Sequence, residues 1–180
     1  MKGVVFTELL EMVEGKFGED MVEDILDDCE LESSGAYTTV GTYDHKEFIA
    51  IVTALSKYSQ ISVKDLVIQY GHYLFFRFNK LMPEFFEGPK SAFEFLESVH
   101  NHIHVEVKKL YPDAALPSFK TQRKNSDTLI MIYTSKCPFA DFAQGLIQGT
   151  ADFYKEDLQI TTEDKNSDSE FCRVFTLTKQ

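Results

Sequence analysis

The hydrophobic pattern is helical before Pro117 and mostly that of strands after it, and this change limits the possible folds more than any other feature. Before Pro117, apolar residues recur every three or four positions, as on one face of a helix. After it, runs of β-branched and aromatic residues predict strands, with one helix among them. The predicted helices are 4–13, 19–26, 44–56, 62–81, 91–110 and 140–154, and the predicted strands are 118–122, 128–135, 158–162 and 171–178. Helices first and a small antiparallel sheet last indicate an α+β fold.

The chain is long enough for one ordinary domain. It has 180 residues, 43% hydrophobic and 26% charged, and no repeat or composition shift divides it. The polar run 163–169 is predicted only to connect the last two strands. The formal net charge of −11 argues against nucleic acid or an anionic membrane as a partner, because both attract clustered Lys and Arg. We predict a single domain over residues 1–180.

No segment predicts a secreted or membrane protein. No apolar run approaches the roughly 18 residues of a spanning helix, and the N-terminus reaches Glu8 without the apolar core of a signal peptide. The cysteines, Cys29, Cys137 and Cys172, are odd in number and widely spaced, which is typical of a reducing compartment. We therefore expect a cytoplasmic protein.

Three of the five histidines lie close together, at positions 100, 102 and 104. On a helix His100 and His104 share a face, whereas His102 points nearly the opposite way. Three interpretations of His104 stay open: a core histidine hydrogen-bonded to the backbone, a zinc pair with His100, and a single axial ligand to haem iron. The zinc pair has neither a glutamate base between its histidines nor an obvious third ligand.

Aromatic residues are abundant, with 16 Phe and 8 Tyr but no Trp. Such a content fits an aromatic core. It equally fits a pocket around a large flat ligand, and composition does not decide between the two.

Sequence motifs on both sides of the period change resemble those of one known family. His104 is followed by Tyr111-Pro112 and then by Leu116-Pro117-Ser118-Phe119, and Met1-Lys2-Gly3 and Tyr133-Thr134-Ser135 stand at the other characteristic places. Together they resemble the haem nitric oxide/oxygen-binding (H-NOX) family, which includes bacterial gas sensors and the haem domain of soluble guanylate cyclase. The resemblance extends to about Thr178. It implies that ferrous haem b lies buried between the helical part and the sheet, with His104 as the iron ligand and no other metal.

The resemblance also implies how the haem propionates are held. Family members use a Tyr-x-Ser-x-Arg motif, in which two hydroxyl groups and a guanidinium suit paired carboxylates. Tyr133 and Ser135 match this motif, but Cys137 stands where arginine is expected. A thiol supplies no permanent charge, so the resemblance predicts a weaker grip unless Lys136 or another cation substitutes.

Alignment with the family on Gly71 and Gly145 gives the residues expected to line the side of the haem where the gas binds, here called the ligand-facing wall. Its expected members are Val5, Phe78, Phe142 and Leu146, while Pro117 is expected to press on the porphyrin from the other side. Oxygen-binding relatives have a tyrosine at the position of Phe142, which donates a hydrogen bond to the polar ligand. Since phenylalanine cannot donate, the resemblance predicts binding of nitric oxide, possible binding of carbon monoxide, and exclusion of oxygen.

The implied role is a sensor switch rather than an enzyme. Nitric oxide is expected to weaken the bond between iron and His104 and so to shift the helix that carries it. The resemblance implies a separate output protein, either a histidine kinase or a cyclic-di-GMP enzyme. A haem carrier or storage protein is the alternative, and the missing arginine favours it. A peroxidase is not expected, because the wall offers no His or Arg to assist O–O cleavage.

Overall fold

The fold is described by a computed structural model for residues 1–165, 167 and 169–180. The helices are α1 (Gly3–Phe17), α2 (Glu19–Asp27), α3 (His45–Ser59), α4 (Val63–Leu81), α5 (Ala92–Ser98), α6 (His104–Leu110) and α7 (Ala140–Tyr154). The strands are β1 (Ser118–Arg123), β2 (Thr128–Ser135), β3 (Leu158–Asp164) and β4 (Phe171–Lys179). A 3-10 turn occupies Pro83–Phe86. None of the helices in the described part of the chain is long and apolar enough to cross a membrane.

Short polar side chains start several of these helices. Ser62 caps α4 by accepting a hydrogen bond from the Asp65 amide at 3.1 Å, as its capping sequence predicts. Asp44 caps α3 in the same way. At the other end of a helix, Gly18 terminates α1 with a φ of 93°, a conformation that favours glycine. The predicted helix 4–13 continues through Gly15, which lies inside α1.

The prediction of one uninterrupted α-helix over 91–110 is wrong in one respect. A π-helical segment, Val99–Ile103, separates α5 from α6, so that the His104 amide donates to the Val99 carbonyl five residues earlier. The wider π turn accommodates one extra residue, and such turns are frequent at functional sites. Hydrophobic spacing over five residues does not distinguish this turn from an α turn.

The four strands form one antiparallel sheet in the order β1-β2-β4-β3. On the central strand β2, Leu129, Met131 and Tyr133 alternate with less buried residues, so one face is covered. Tyr133 is paired with Phe119 on β1 and with Arg173 on β4. The α+β class and the antiparallel sheet are thus confirmed. Within the connection predicted at 163–169, Asn166 and Asp168 lie outside the described residues.

Helices α4 and α7 pack so closely that glycine is required where they cross. A Cβ atom on Gly71 would lie 2.4 Å from the Phe142 carbonyl oxygen, and one on Gly145 would lie 2.1 Å from that of Ile68. Both distances are far below van der Waals contact, so backbone meets backbone at this crossing. There is therefore a steric reason for glycine at both positions that served as alignment anchors.

Two groups of buried residues stabilise the fold. The helical core is formed by α1 to α4, with Phe6, Leu9, Phe48, Leu55 and Leu74 among its members. The sheet core lies between the sheet, α5 and α7, with Phe93, Leu129, Tyr133, Ile147 and Phe175 among its members. Helix α7 contributes to both, because Phe142 packs on the helical core and Ile147 belongs to the sheet core.

Candidate functional site

His104 is the first residue of α6, directly after the π-helical segment. Among the described residues, its Nδ1 atom is buried and has no hydrogen-bond partner. Burial, and to a smaller degree His100, lowers the pKa of this imidazole to about 4, while the Pro117 carbonyl acts in the opposite direction. The ring is therefore neutral at pH 7, which is the form that binds metal.

The surroundings of His104 bear on the two other interpretations. For the core-histidine interpretation, the Pro117 carbonyl is the backbone group that acts on the His104 ring, while the buried Nδ1 has no hydrogen-bond partner among the described residues. For a zinc site, three or more ligands have to converge, and the described residues contain no such group of His, Cys, Asp and Glu. His100 is instead exposed, and its Nδ1 faces the Phe119 amide at 3.5 Å.

Phe119 links His104 to the sheet, and the sequence-based prediction gave it no site role. Its ring centroid lies 5.7 Å from that of His104 and 5.6 Å from that of Tyr133. Phe119 is the one apolar residue of β1 (SFKTQR), which marks it as inward-facing, but only the paired strands place it between these two side chains.

The two hydroxyl residues expected to hold the propionates, Tyr133 and Ser135, lie at the end of β2 and bond to the turn that follows it. The Tyr133 hydroxyl donates to the Cys137 carbonyl at 3.1 Å, and the Ser135 hydroxyl accepts from the Cys137 amide at 3.0 Å. Burial raises the pKa of Tyr133, so its hydroxyl stays protonated and able to donate. Lys136 between them is exposed. The turn thus brings two hydroxyl groups together at one end of β2.

Arg173 does not take the place of the missing arginine. This residue lies opposite Tyr133 in the sheet, but its side chain is only 13% exposed and already bonds two carboxylates. The partners are Asp141 at the start of α7, at 2.5 Å, and Asp164 at the end of β3, also at 2.5 Å. Arg173 therefore ties α7 to the sheet.

The four residues expected on the ligand-facing wall lie on three helices. Val5, Phe78 and Phe142 are half-buried and pack against the helical core. Leu146 is also half-buried, one turn after Phe142, and its amide adjoins Gly71 at the crossing of α4 and α7. Tyr70 joins two of them, because its ring stacks on Phe142 and its hydroxyl bonds the Val5 carbonyl. Nothing in the sequence alone indicates the hydrogen bond between Tyr70 and Val5.

A polar contact ties the end of the His104 helix to the start of the chain. The Lys2 ammonium lies 3.3 Å from both carboxylate oxygens of Asp113 and 2.8 Å from the Thr42 hydroxyl, which itself donates to Asp113 at 2.7 Å. The same ammonium stands 5.2 Å from the Tyr111 ring centroid. Lys2 thus links the segment after α6 to the residue that precedes α1.

Comparison with solved structures supports the fold over the whole chain. An H-NOX protein from K. algicida, solved as unliganded Fe(II), is 38% identical with a TM-score of 0.92, and the match covers 100% of this chain and 97% of that one. An H-NOX protein from Shewanella woodyi, solved with IWP-051 in the Fe(II)CO state, is 41% identical with a TM-score of 0.84, covering 100% and 95%. An Fe(II)NO structure from S. oneidensis, at 22% identity, shows the fold alone, with a TM-score of 0.90 over 100% and 99%.

Comparison with protein families leads to the same result. Among curated proteins no sequence matches the chain, but the model of the family described as Haem-NO-binding matches residues 2–162. That match covers most of the sequence, including α6, strand β2 with the turn after it, and α7. The chain belongs to the Haem-NO-binding, or H-NOX, family of haem-based gas sensors.

Proposed function

We propose that residues 1–180 form a single cytoplasmic sensor domain for nitric oxide, with ferrous haem b bound through His104. The observation that carries the proposal is the buried His104 imidazole, whose Nδ1 has no partner in the described part of the chain. A neutral, buried imidazole with a ring nitrogen that no described protein group occupies is in the form that can bind a metal ion. A single neutral imidazole is sufficient for a haem iron.

The pocket would be closed by residues of both cores. Phe119 and Pro117 stand beside His104, so they would contact the face of the porphyrin that His104 approaches. Val5, Phe78, Phe142 and Leu146 would line the opposite face, where ligands enter. Tyr133 and Ser135 would donate hydrogen bonds to the propionates in place of the contacts they now make in their own turn.

The choice of gas follows from the wall. Its four side chains are Val, Phe, Phe and Leu, which offer no hydrogen-bond donor to a bound ligand. Nitric oxide and carbon monoxide do not depend on such a donor, whereas dioxygen does. The wall therefore favours nitric oxide and disfavours oxygen, in agreement with the expectation from Phe142.

The signal would pass from His104 to the start of the chain. Ferrous haem, when bound, would supply the iron atom that binds nitric oxide, and His104 would be the residue that holds this iron and responds to the gas. His104 begins α6, and the end of α6 leads into Tyr111 and Asp113, which contact Lys2. Motion of α6 would thus change the position of α1 relative to the sheet. A histidine kinase or a cyclic-di-GMP enzyme would read this change.

The test is a titration of the reduced, haem-loaded protein with nitric oxide. We expect the absorption spectrum of a five-coordinate nitrosyl haem, because His104 would no longer hold the iron. The same titration, repeated with a candidate partner kinase, should change the rate of kinase autophosphorylation. A six-coordinate nitrosyl spectrum contradicts the switch.

The same experiment separates the sensor from a haem carrier or storage protein. The carrier has some support from Cys137, because Arg173 is engaged by Asp141 and Asp164 and so does not supply the missing charge. A carrier would bind haem through His104 but leave the partner's autophosphorylation unchanged. It would also transfer its haem readily to an apo-acceptor such as apomyoglobin.

A further inference from the structure

Tyr70 joins three helices at the wall where the ligand would enter. Its side chain is completely buried. Its hydroxyl donates to the Val5 carbonyl oxygen at 2.5 Å, and its ring stacks on Phe142, with centroids 5.6 Å apart and ring planes at 27°. A further contact, at 5.7 Å between centroids, reaches Phe48 on α3. Two of these partners, Val5 and Phe142, belong to the proposed wall.

The hydroxyl of Tyr70 has a single proton to donate, and this proton is used within the fold. The Val5 carbonyl lies in the first turn of α1, where helix geometry also directs the Leu9 amide to it. A carbonyl oxygen has two lone pairs and accepts both bonds. Burial raises the pKa of Tyr70 well above its usual value, so the proton is retained.

The ring of Tyr70 limits the positions that Phe142 can adopt. It lies next to Gly71, where the backbones of α4 and α7 are in contact, so neither helix can shift to relax the stack. Tyr70 therefore forms a fixed surface against which the ring of Phe142 packs.

We propose that Tyr70 is a positioning residue of the ligand pocket. Its hydroxyl fixes the first turn of α1 through Val5, its ring fixes Phe142, and its one hydrogen-bond donor is kept away from the ligand. The wall thus contains a tyrosine in contact with Phe142 and still offers the ligand no hydrogen bond. This inference rests on the proposed function only in that Val5 and Phe142 face the bound gas.

The test compares Tyr70→Phe with Tyr73→Phe in the full-length protein. The first variant keeps the buried ring and removes the hydroxyl, whereas Tyr73 stacks on Tyr70 at 6.4 Å and serves as a matched loss of one hydroxyl beside it. Two quantities are measured: hydrogen exchange of the Leu9 amide by NMR, and the C–O stretching frequency of the reduced protein with carbon monoxide. We expect Tyr70→Phe to speed exchange at Leu9 about fivefold and to shift the C–O frequency, and Tyr73→Phe to do neither.

The result that overturns the inference is a Tyr70→Phe protein that unfolds more easily but keeps both wild-type values. Tyr70 would then stabilise the core without positioning the pocket. Failure of the wild-type protein to take up haem would contradict the proposed function instead. In that case the exchange of the Leu9 amide still decides whether Tyr70 fixes the start of α1.

Discussion

Replacing Gly145 by alanine tests the close crossing of α4 and α7, on which the geometry of the proposed pocket depends. A Cβ atom at this position would lie 2.1 Å from the Ile68 carbonyl oxygen and 2.8 Å from the His72 amide nitrogen. Ordinary contact begins at 3.4 Å, so the two helices have to separate by about 1 Å. Both clashing atoms belong to backbone inside a helix, which leaves no side chain to rotate away.

The expected magnitude combines two opposing terms. Overpacking a well-packed contact costs about 1–3 kcal/mol and sometimes more, and a backbone clash belongs at the upper end. Alanine in a helix interior is favoured over glycine by about 1 kcal/mol. The net loss in the free energy of unfolding should therefore be about 2 kcal/mol, equivalent to roughly 4–8 °C in Tm for a chain of this length.

Urea unfolding followed by circular dichroism measures this loss, with Gly15→Ala as the control. Gly15 also lies inside a helix, but nothing is within 4 Å of an added Cβ there. That variant should gain about 0.5–1 kcal/mol from helix propensity alone. If Gly145→Ala were as stable as Gly15→Ala, the helices would have to be further apart than described, and the steric reasoning would be wrong.

Three further predictions concern single side chains. Arg173→Met should lower the free energy of unfolding by about 1–2 kcal/mol in urea melts, because Asp141 and Asp164 both lose a charged partner that is mostly buried; an unchanged midpoint would refute the tie between α7 and the sheet. The Thr42 hydroxyl and then Lys2 lower the pKa of Asp113. The free energy of unfolding of Asp113→Asn should therefore be lower than that of wild type above about pH 4, and the difference should vanish as the pH falls through the lowered pKa. A difference that does not change with pH would contradict this. Phe142→Tyr should give a stable oxygen complex of the reduced protein by absorption spectroscopy, and rapid autoxidation with no such complex would count against the assigned wall.

The sequence predicted elements best where one pattern is long and uninterrupted. Helix α7 and strand β2 begin and end where their apolar periods do, at 140–154 and 128–135. Each has a buried face that a shift of one residue would expose, so the pattern is strongly constrained. The π-helical turn before His104 was missed, because five residues are too few to separate a period of 3.6 from a slightly longer one.

Contacts between distant segments explain the rest of the difference. The bond from Tyr70 to Val5 spans 65 residues, and the Lys2–Asp113 pair spans 111. Neither contact has a local pattern, since each depends on how separate helices pack. Phe119 lies next to His104 for the same reason: its inward orientation follows from β1, but the neighbour it meets depends on where α6 lies.

The ligation of haem by His104 is tested most directly by His104→Gly, with His102→Gly as the control. His102 is exposed and lies in the adjacent π-helical segment. Its replacement by glycine therefore makes the same change to the backbone two residues away from His104. We predict that the reduced His104→Gly protein loses the Soret spectrum of a histidine-ligated haem and regains it when free imidazole is added, while His102→Gly retains it throughout. A histidine-ligated spectrum in His104→Gly without imidazole would contradict the account.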